Sequence, residues 1–347
     1  MEGDGLSTIK QVAIEANVSA GTVSKVLNNV STVSAKNRES VLAAMKKLDY
    51  RPNNAARMLK TNRSLSIGLI LPDIINPFYP ELAKGAQNFA IEHGYMVLMS
   101  NNDRSPHKER AYIEMMMSRG VDGIILVKPY LTIEELVELS GKIPLTLVDM
   151  DVDDRLAACD VVNVDDYVGA QTAMRLILDQ GHTRVGFVRG SMEGRSDRER
   201  FKAYQDVLAK EGIPFEESLV GSGVYTWDSG VKQATALLTR PQRVTALFAS
   251  NDILAIGALR AAYTLGLSVP NDLSIVGYDN INTASIMIPS LTTIHRPKYE
   301  MGVAATKTLI TRIQNQKEGV MKGRVITLHT APCIRQTLER CNNEHKK

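Results

Sequence analysis

Thr8 to Asn29, TIKQVAIEANVSAGTVSKVLNN, holds two short helical patterns separated by a turn. Thr8 and Gln11 have the spacing of a capping box, in which each side chain satisfies a backbone N–H at the start of a helix. Asn17 tolerates the left-handed conformation of a tight turn, and Ser19 is a cap for a second helix. Apolar residues recur at helical spacing, at Ile9, Val12, Ala13 and Ala16 and then at Val23, Val26 and Leu27. The stretch therefore predicts a packed pair of short helices.

The outer face of the second helix is rich in hydrogen-bond donors and carries no acidic residue. Its side chains are Thr22, Ser24, Lys25 and Asn28. Such a face suits the major groove of DNA, where phosphates and base edges need donors. The alternative is an ordinary helical hairpin inside a protein core.

The charge distribution favours the DNA-binding interpretation. The 347 residues are 44% hydrophobic and 23% charged, as in a globular protein of two or three domains, and the formal net charge is +3. Residues 1–62 carry nine Lys or Arg against five Asp or Glu, whereas the remaining 285 residues have a net charge of −1. A basic module attached to a neutral body is typical of a nucleic-acid-binding protein.

The cysteines and the N-terminus suggest a cytoplasmic protein. Cys159, Cys333 and Cys341 are scattered and form no metal-binding spacing, so we expect neither a disulfide scaffold nor a metal site. The N-terminal MEGDGLSTIK lacks the apolar core of a signal peptide, and no apolar run is long enough to cross a membrane. We expect no membrane partner.

A third helix is predicted at 34–50, and Arg51-Pro52 interrupts the helical pattern after it. Residues 53–60, NNAARMLK, are too few for a helix that is stable alone, so we expect this segment to order on DNA. Asn53 and Ala56 belong to this segment. Leu59 is an apolar residue without an obvious core. One interpretation is a wedge between minor-groove base steps, with Arg57 and Lys60 on phosphates; the alternative is a contact with a symmetry mate or a neighbouring domain.

After residue 64, apolar runs of strand length alternate with amphipathic helical stretches. The predicted strands are 65–71, 95–99, 123–127, 145–148, 161–164, 185–188, 246–249 and 274–277. The predicted helices include 80–93, 107–119, 167–180, 200–211, 229–239 and 253–265. This alternation indicates parallel sheets covered on both faces, and the number of units favours two doubly wound lobes. The predicted fold class is α/β, two such lobes preceded by an all-α module.

Ligands of doubly wound folds bind at the carboxyl ends of the strands, which here means a cleft between lobes. Polar and aromatic residues recur at five predicted strand ends or breaks: Phe78 and Tyr79, Arg200, Tyr225, Asn251, and Asp279. Rings stack on the apolar faces of sugars, while Asp and Arg hydrogen-bond hydroxyl or anionic groups. Taken singly, each residue is better explained as a cap or turn residue than as a ligand contact, and it is their recurrence at five strand ends that favours a binding site.

Motifs of catalysis are missing from the sequence. We find no GxSxG, HExxH, GxxxxGK[ST] or strand-linked GxGxxG, and the six histidines do not cluster. We therefore expect a binding protein rather than an enzyme, and no cofactor.

The chain resembles the bacterial LacI/GalR (lactose-repressor/galactose-repressor) family of transcription regulators over about residues 7 to 337, and its stretch YTWDSG is similar to that of the catabolite-control members. The resemblance is carried, in the family's order, by TIKQVAIEANVSAGTVSKVLNN, LDYRPNNAARMLKT, DIINPFYPELAKG, VDGIIL, GHTRVGFV, ASNDILAIGAL, VPNDLSIVGYDNI and PSLTTIHRP. It implies a homodimer on a palindromic operator, a helix-turn-helix, a hinge helix that orders on DNA, and a body similar to periplasmic sugar-binding proteins. A small sugar-type effector in the cleft is the implied control.

The resemblance also assigns residues by position. The implied DNA-binding residues are Thr8, Ser19, Ala20, Gly21, Thr22, Ser24, Lys25 and Asn28, with Asn53, Ala56, Arg57, Leu59 and Lys60 in the hinge. Leu59 matches the intercalating leucine. The implied effector-binding residues are Phe78, Tyr79, Arg200, Tyr225, Asn251 and Asp279.

Several positions depart from the family's pattern. Ala20 and Gly21 leave little for direct base readout, and Lys25 replaces the usual arginine, whose planar fork discriminates bases better. Ala203 stands where a glycine is expected, which predicts a shifted helix start near Arg200. The polar stretch 335–347 lacks a tetramerising leucine repeat, so we expect a dimer.

The predicted organisation is a helix-turn-helix domain at 7–50, a hinge at 51–62 and an effector-binding and dimerisation body at 65–340. The first lobe takes about 65–165 and 297–325, and the second takes 166–294 and 326–340. A periplasmic sugar-binding protein shares such a body but lacks the basic N-terminal module. A further alternative is a global carbon regulator whose corepressor, a phosphorylated carrier protein, docks on surface residues such as Arg296, Lys298 and Arg312.

Overall fold

The computed structural model describes residues 8–27, 31–50, 63–315 and 322–341. It forms two compact units, Met1–Ser64 and Leu65–Lys347. The first contains α1 (Ile9–Glu15), α2 (Ala20–Leu27) and α3 (Ala35–Lys47). Their apolar faces meet in a small core that includes Val12, Val23, Val26 and Val41. The predicted hinge, 51–62, lies outside the described residues.

The second unit contains two sheets. The first is made of β1 (Ser66–Leu71), β2 (Met96–Asn101), β3 (Ile124–Val127), β4 (Leu145–Val148), β5 (Asp160–Val164) and β10 (Val325–Leu328), in the spatial order β10-β5-β4-β3-β1-β2. The second is made of β6 (Val185–Val188), β7 (Ala246–Ala249), β8 (Ser274–Asp279), β9 (Thr292–His295) and β11 (Ala331–Cys333), in the order β11-β9-β8-β7-β6. All neighbouring strands are parallel except the edge pair β11 and β9.

Helices cover both faces of each sheet. They are α4 (Phe78–Glu92), α5 (Pro106–Ser118), α6 (Ile133–Ser140), α7 (Asp166–Asp179), α8 (Arg195–Lys210), α9 (Trp227–Leu238), α10 (Asp252–Thr264), α11 (Asn282–Ile286) and α12 (Lys298–Gln314). The first sheet packs on α4 and α12 on one face and on α5 and α6 on the other. The second packs on α9 and α10 and, oppositely, on α7 and α8. The predicted architecture of two doubly wound lobes is confirmed.

The predicted strands differ from the observed ones by at most two residues at either end. The larger differences lie elsewhere. Helix α8 begins at Arg195, five residues before the predicted start, because the Gly194 N–H is bonded by the Asp197 carboxylate. Strand β10 joins the first sheet, so the first lobe extends to residue 328, whereas 325 was predicted. The chain thus passes between lobes after β5, after β9 and after β10.

Helices α4 and α12 approach closely because glycines face each other's backbones. A Cβ atom built on Gly85 would lie 2.1 Å from the Tyr299 carbonyl oxygen, and one on Gly302 would lie 2.0 Å from the Leu82 carbonyl oxygen.

No helix in the described ranges has the length and apolar character needed to cross a bilayer.

We predict that Gly302→Ala forces these two helices apart. Overpacking of this kind costs about 1–3 kcal/mol of unfolding free energy. Gly141→Ala is the matched control, since its added Cβ would lie at an ordinary 3.5 Å from the Glu138 carbonyl oxygen. Urea denaturation of the full chain measures both variants. Equal stability of the two would contradict the assigned close contact.

Candidate functional site

The start of the helix-turn-helix forms as the sequence predicts. Thr8 Oγ1 accepts a hydrogen bond from the Gln11 N–H (3.3 Å), and the Gln11 side chain accepts one from the Thr8 N–H (2.6 Å). Asn17 adopts the left-handed conformation, with φ at 49°. Ser19 Oγ accepts from the Thr22 N–H at 3.1 Å and caps α2. The capping box and the turn are therefore confirmed.

The outer face of α2 is open to solvent. Ser19, Ala20, Gly21 and Lys25 are exposed, and Thr22 and Ser24 are half-buried. The buried residues Val23 and Val26 lie on the opposite side. Six of the predicted DNA-binding residues thus share one accessible face. The other predicted residues at Asn28, Asn53, Ala56, Arg57, Leu59 and Lys60 lie outside the described ranges, and Thr8 is exposed at the start of α1.

A cleft opens at the carboxyl ends of strands from both sheets. The six predicted effector-binding residues all line it: Phe78, Tyr79, Arg200, Tyr225, Asn251 and Asp279. The structure adds nine lining residues that the sequence analysis did not select, namely Asn76, Arg104, Lys128, Tyr130, Asp149, Ser191, Ser196, Asp197 and Arg296. We refer to these fifteen residues as the cleft.

Aromatic rings form part of the cleft wall. Phe78 and Tyr79 start α4 and meet edge to face, with ring centroids 5.1 Å apart. The Arg296 guanidinium lies 4.7 Å from the centroid of the Phe78 ring. Burial raises the pKa of the Tyr79 hydroxyl above its usual range, so this group stays protonated. The wall thus combines flat apolar surfaces with a neutral hydroxyl donor.

A buried ionic cluster lies behind the cleft, centred on Asp166, the first residue of α7. Asp166 Oδ1 accepts from Arg200 Nη2 (2.8 Å) and Nε (3.1 Å). Asp166 Oδ2 accepts from Arg296 Nη2 at 3.2 Å. Both arginines are buried, and Asp166 is completely so. Burial raises the pKa of Asp279, and Arg200 and Arg296 oppose this effect.

Polar contacts join the lobes across the cleft: Arg198 on α8 pairs with Asp151 of the first lobe, and two further contacts involve cleft residues on both sides. Lys128, which follows β3 of the first lobe, lies 2.7 Å from Asp197 Oδ2 on α8 of the second. Ser196 Oγ donates to Asp149 Oδ2, at the end of β4, at 2.7 Å. Gly194 makes room for the first contact, since a Cβ there would lie 2.2 Å from Lys128 Cε.

Two of the cleft residues also act as cap or turn residues, which is the alternative that the sequence analysis left open for such positions. Asn251 Oδ1 accepts from the Leu254 N–H at 2.9 Å and caps α10, although the residue lines the cleft as well. Asn76 likewise lines the cleft and holds a turn, because its side chain accepts from the Phe78 N–H at 3.0 Å.

Ala203, at the position where a glycine is expected, lies on α8 and is fully buried in the core between α8 and the second sheet.

The prediction that Arg296, Lys298 and Arg312 lie on the lobe surface is wrong. They are 4%, 1% and 8% exposed, respectively. Lys298 Nζ donates to the carbonyl oxygens of Asp279 (2.8 Å) and Asn280 (2.9 Å). Arg312 Nε donates to the buried Asp160 carboxylate at 3.2 Å. Burial of a charge is favourable only with such partners, which the local sequence does not reveal.

Comparisons with known proteins agree with this architecture. Residues 8–53 match the family model described as bacterial regulatory proteins, lacI family, and residues 174–338 match the periplasmic binding protein-like domain. The ribose operon repressor of Halalkalibacterium halodurans is 35% identical over 311 residues, which cover 90% of this chain and 92% of that protein. Catabolite control protein A of Priestia megaterium is 36% identical over 311 residues, covering 89% and 93%.

Among solved structures, the lac repressor dimer bound to operator and the anti-inducer ONPF matches with a TM-score of 0.82 and 27% identity, covering 96% of this chain and all of that one. The fold and the matches define a helix-turn-helix regulator with a periplasmic-binding-protein-like body. The chain belongs to the lacI family of bacterial regulatory proteins and is a DNA-binding transcription regulator, not an enzyme.

Asp252, the first residue of α10, gives this region a pH dependence. Its buried carboxylate accepts from the Ile281 N–H (2.8 Å) and from Thr293 Oγ1 (2.6 Å). Burial and the nearby Asp279 raise the pKa of Asp252 from 3.8 to about 7. The folded state therefore binds an extra proton between these two values. This stabilisation is complete below the lower value and is lost as the pH rises through the upper one.

We predict that Asp252→Asn, which mimics the protonated form, flattens the pH profile of stability. The Tm of the variant relative to wild type should rise as the pH increases from about 5 to 8. Thermal denaturation followed by circular dichroism measures this difference. Asp206→Asn, at a half-exposed side chain on α8, is the control. Parallel profiles for Asp252→Asn and wild type would contradict the assigned pKa.

Proposed function

We propose that this protein is a homodimeric repressor that acts in the cytoplasm, binds a palindromic operator through its N-terminal residues and is controlled by a small polyhydroxyl effector in the cleft. The observation that carries the proposal is the convergence of Phe78, Tyr79, Arg200, Tyr225, Asn251 and Asp279 on one cleft. The similarity to a repressor named for a ribose operon supports an effector of the sugar type.

For DNA binding, we propose roles for the exposed face of α2 and for the hinge. The hydroxyls of Ser19, Thr22 and Ser24 and the ammonium of Lys25 suit phosphates and base edges, as do Thr8 and Asn28. In the hinge we propose that Leu59 intercalates between base steps, while Asn53, Ala56, Arg57 and Lys60 contact the adjoining backbone.

For self-association, we propose that the first lobes pair near the free edge of their sheet. Strand β2 lies at this edge, and its Met96 and Met99 are 65% and 40% exposed. Ile91 and Met115, on the flanking helices α4 and α5, are exposed as well. Exposed apolar surface on an edge is typical of an interface with another chain. The similar lac repressor structure is described as a dimer.

We favour the small effector over a phosphocarrier corepressor, because the three basic residues proposed to dock that partner are buried.

The effector controls DNA binding through thermodynamic linkage between effector affinity and operator affinity. The effector changes operator affinity only by its differential affinity for two arrangements of the lobes. The contacts of Lys128 with Asp197 and of Ser196 with Asp149 distinguish such arrangements, since they cross the cleft.

We predict that Lys25→Ala weakens binding to a duplex selected by the full-length protein from a random-sequence pool. A plot of log affinity against log salt concentration has a negative slope, and loss of a phosphate contact should reduce the magnitude of this slope by about 1 per protomer. Fluorescence anisotropy measures this slope. Lys142→Ala, at an exposed lysine paired with Glu138, is the control.

The proposed dimer also predicts that the full-length protein binds a duplex with one half-site much more weakly than the palindromic duplex. Equal affinity for the one-half-site duplex and the palindromic duplex would contradict the dimer.

We predict that Asp279→Asn abolishes most of the effector response while operator affinity stays near wild type. The variant loses a charged acceptor, which weakens effector binding by about 10- to 100-fold. Operator release is titrated with a panel of monosaccharides, and the Tm verifies folding. Asp206→Asn again serves as the control. A normal response of Asp279→Asn would contradict the assignment of the cleft.

A further inference from the structure

The charged side chains in and around the cleft are paired with one another. The cations are Arg104, Lys128, Arg195, Arg200 and Arg296, and the carboxylates are Asp73, Asp149, Asp166, Asp197 and Asp279. Every one of these five cations has a carboxylate oxygen within 3.5 Å. Seven of these groups line the cleft, four cations and three carboxylates, and Asp73, Asp166 and Arg195 beside them bring the ten ionised groups to no net charge. Because each cation already has a carboxylate partner, an anionic ligand would have to compete with that partner, which is costly in a buried site.

Lys128 is a cation of the cleft wall, and Asp197 neutralises it. Their side chains are 12% and 3% exposed, and the two atoms lie 2.7 Å apart. Arg104 is paired with Asp73 at 2.9 Å. Arg189, which follows β6, lies 5.0 Å from the Phe201 ring centroid and is not among the cleft residues. A phosphate group would have to approach Lys128 against the repulsion of Asp197.

The unpartnered atoms of the cleft call for a ligand rich in donors. Oδ1 of Asp149, Oδ1 of Asp197 and Oδ1 of Asp279 are buried without a hydrogen-bond partner among the described residues. Asp279 Oδ1 lies 3.7 Å from Arg200 Nη2 and 3.8 Å from Arg296 Nη1, beyond hydrogen-bond distance. An ionised carboxylate only accepts hydrogen bonds. The ligand must therefore donate, as neighbouring hydroxyl groups do.

Two further unpartnered groups complete the pattern. Tyr225 OH both donates and accepts, and Arg296 Nε donates. A hydroxyl group of a ligand satisfies each of them, since it has one donor and two acceptor positions. The oxygens of a phosphate group are acceptors, so a phosphate placed against one of these carboxylates leaves it unsatisfied and repels it, although the remaining hydroxyls of the ester still donate.

We infer that Asp197, by neutralising Lys128, makes the cleft select uncharged sugars over their phosphate esters. This inference rests on the proposed function of the cleft as the effector site. It adds the charge class of the ligand and names Asp197 as a specificity-determining residue.

The experiment compares unmodified pentoses and hexoses with their terminal phosphate esters. Binding is followed by tryptophan fluorescence, since Trp227 lies two residues from Tyr225, and by release or capture of the selected operator duplex. Wild type should bind at least one unmodified sugar and should bind its ester at least about 100-fold more weakly. Tighter binding of an ester than of its parent sugar would overturn the inference while leaving the proposed function intact. Failure of every sugar and ester to alter operator affinity would instead contradict the proposed function.

Asp197→Asn tests the named residue, because it keeps the shape of the side chain and frees the charge of Lys128. We predict that this variant gains about tenfold in affinity for the phosphate ester and loses affinity for the parent sugar, which loses a charged acceptor, so that the preference between the two ligands changes in favour of the ester. Asp149→Asn, which removes a carboxylate facing Arg296, is the second variant if Asp197→Asn does not fold, and Asp206→Asn is the surface control. An ester affinity unchanged in the folded cleft variants would overturn the inference.

Discussion

The ionic cluster around Asp166 is the interaction on which the body of this protein depends. Asp166 lies where the chain first passes between lobes, between β5 and α7. Arg296, near the second passage, reaches Asp166 at 3.2 Å, Asp149 of the first lobe at 3.8 Å and Asp279 of the second lobe at 3.8 Å. Removing one member of a buried network leaves a charge without its partner, which costs several kcal/mol. The cluster therefore fixes the geometry between the ends of three separate segments.

The third passage is tied to the first. Asp165 accepts from the Thr330 N–H (2.8 Å) and from His329 Nδ1 (2.9 Å). The passages between the lobes are therefore tied together by polar contacts beside the strand ends. On the proposed function, a change in the arrangement of the lobes alters the contacts of Lys128 and Ser196 while each core stays packed.

The sequence predicted the strands well because both faces of these sheets are buried, which makes each strand a nearly continuous apolar run. The six residues proposed to bind the effector were predicted from strand ends together with the family resemblance. Lys128 and Asp149 directly follow β3 and β4 and obey the same strand-end rule, so this signal was available. Arg296 directly follows β9, but that strand was not among those predicted, and the burial of Arg296 depends on carboxylates distant in the sequence. The same holds for β10, whose place in the first sheet depends on pairing with β5.

The charge distribution limits how the effector can act on DNA. The basic excess lies in residues 1–62, and the rest of the chain has a net charge of −1, so attraction to the phosphate backbone arises mainly from the N-terminal residues. On the proposed function, an uncharged effector leaves this charge distribution unchanged. Its effect on operator affinity then depends on geometry rather than on long-range electrostatics. Because Ala20 and Gly21 offer little direct readout, operator affinity in the proposed dimer depends strongly on how its two copies of α2 are spaced.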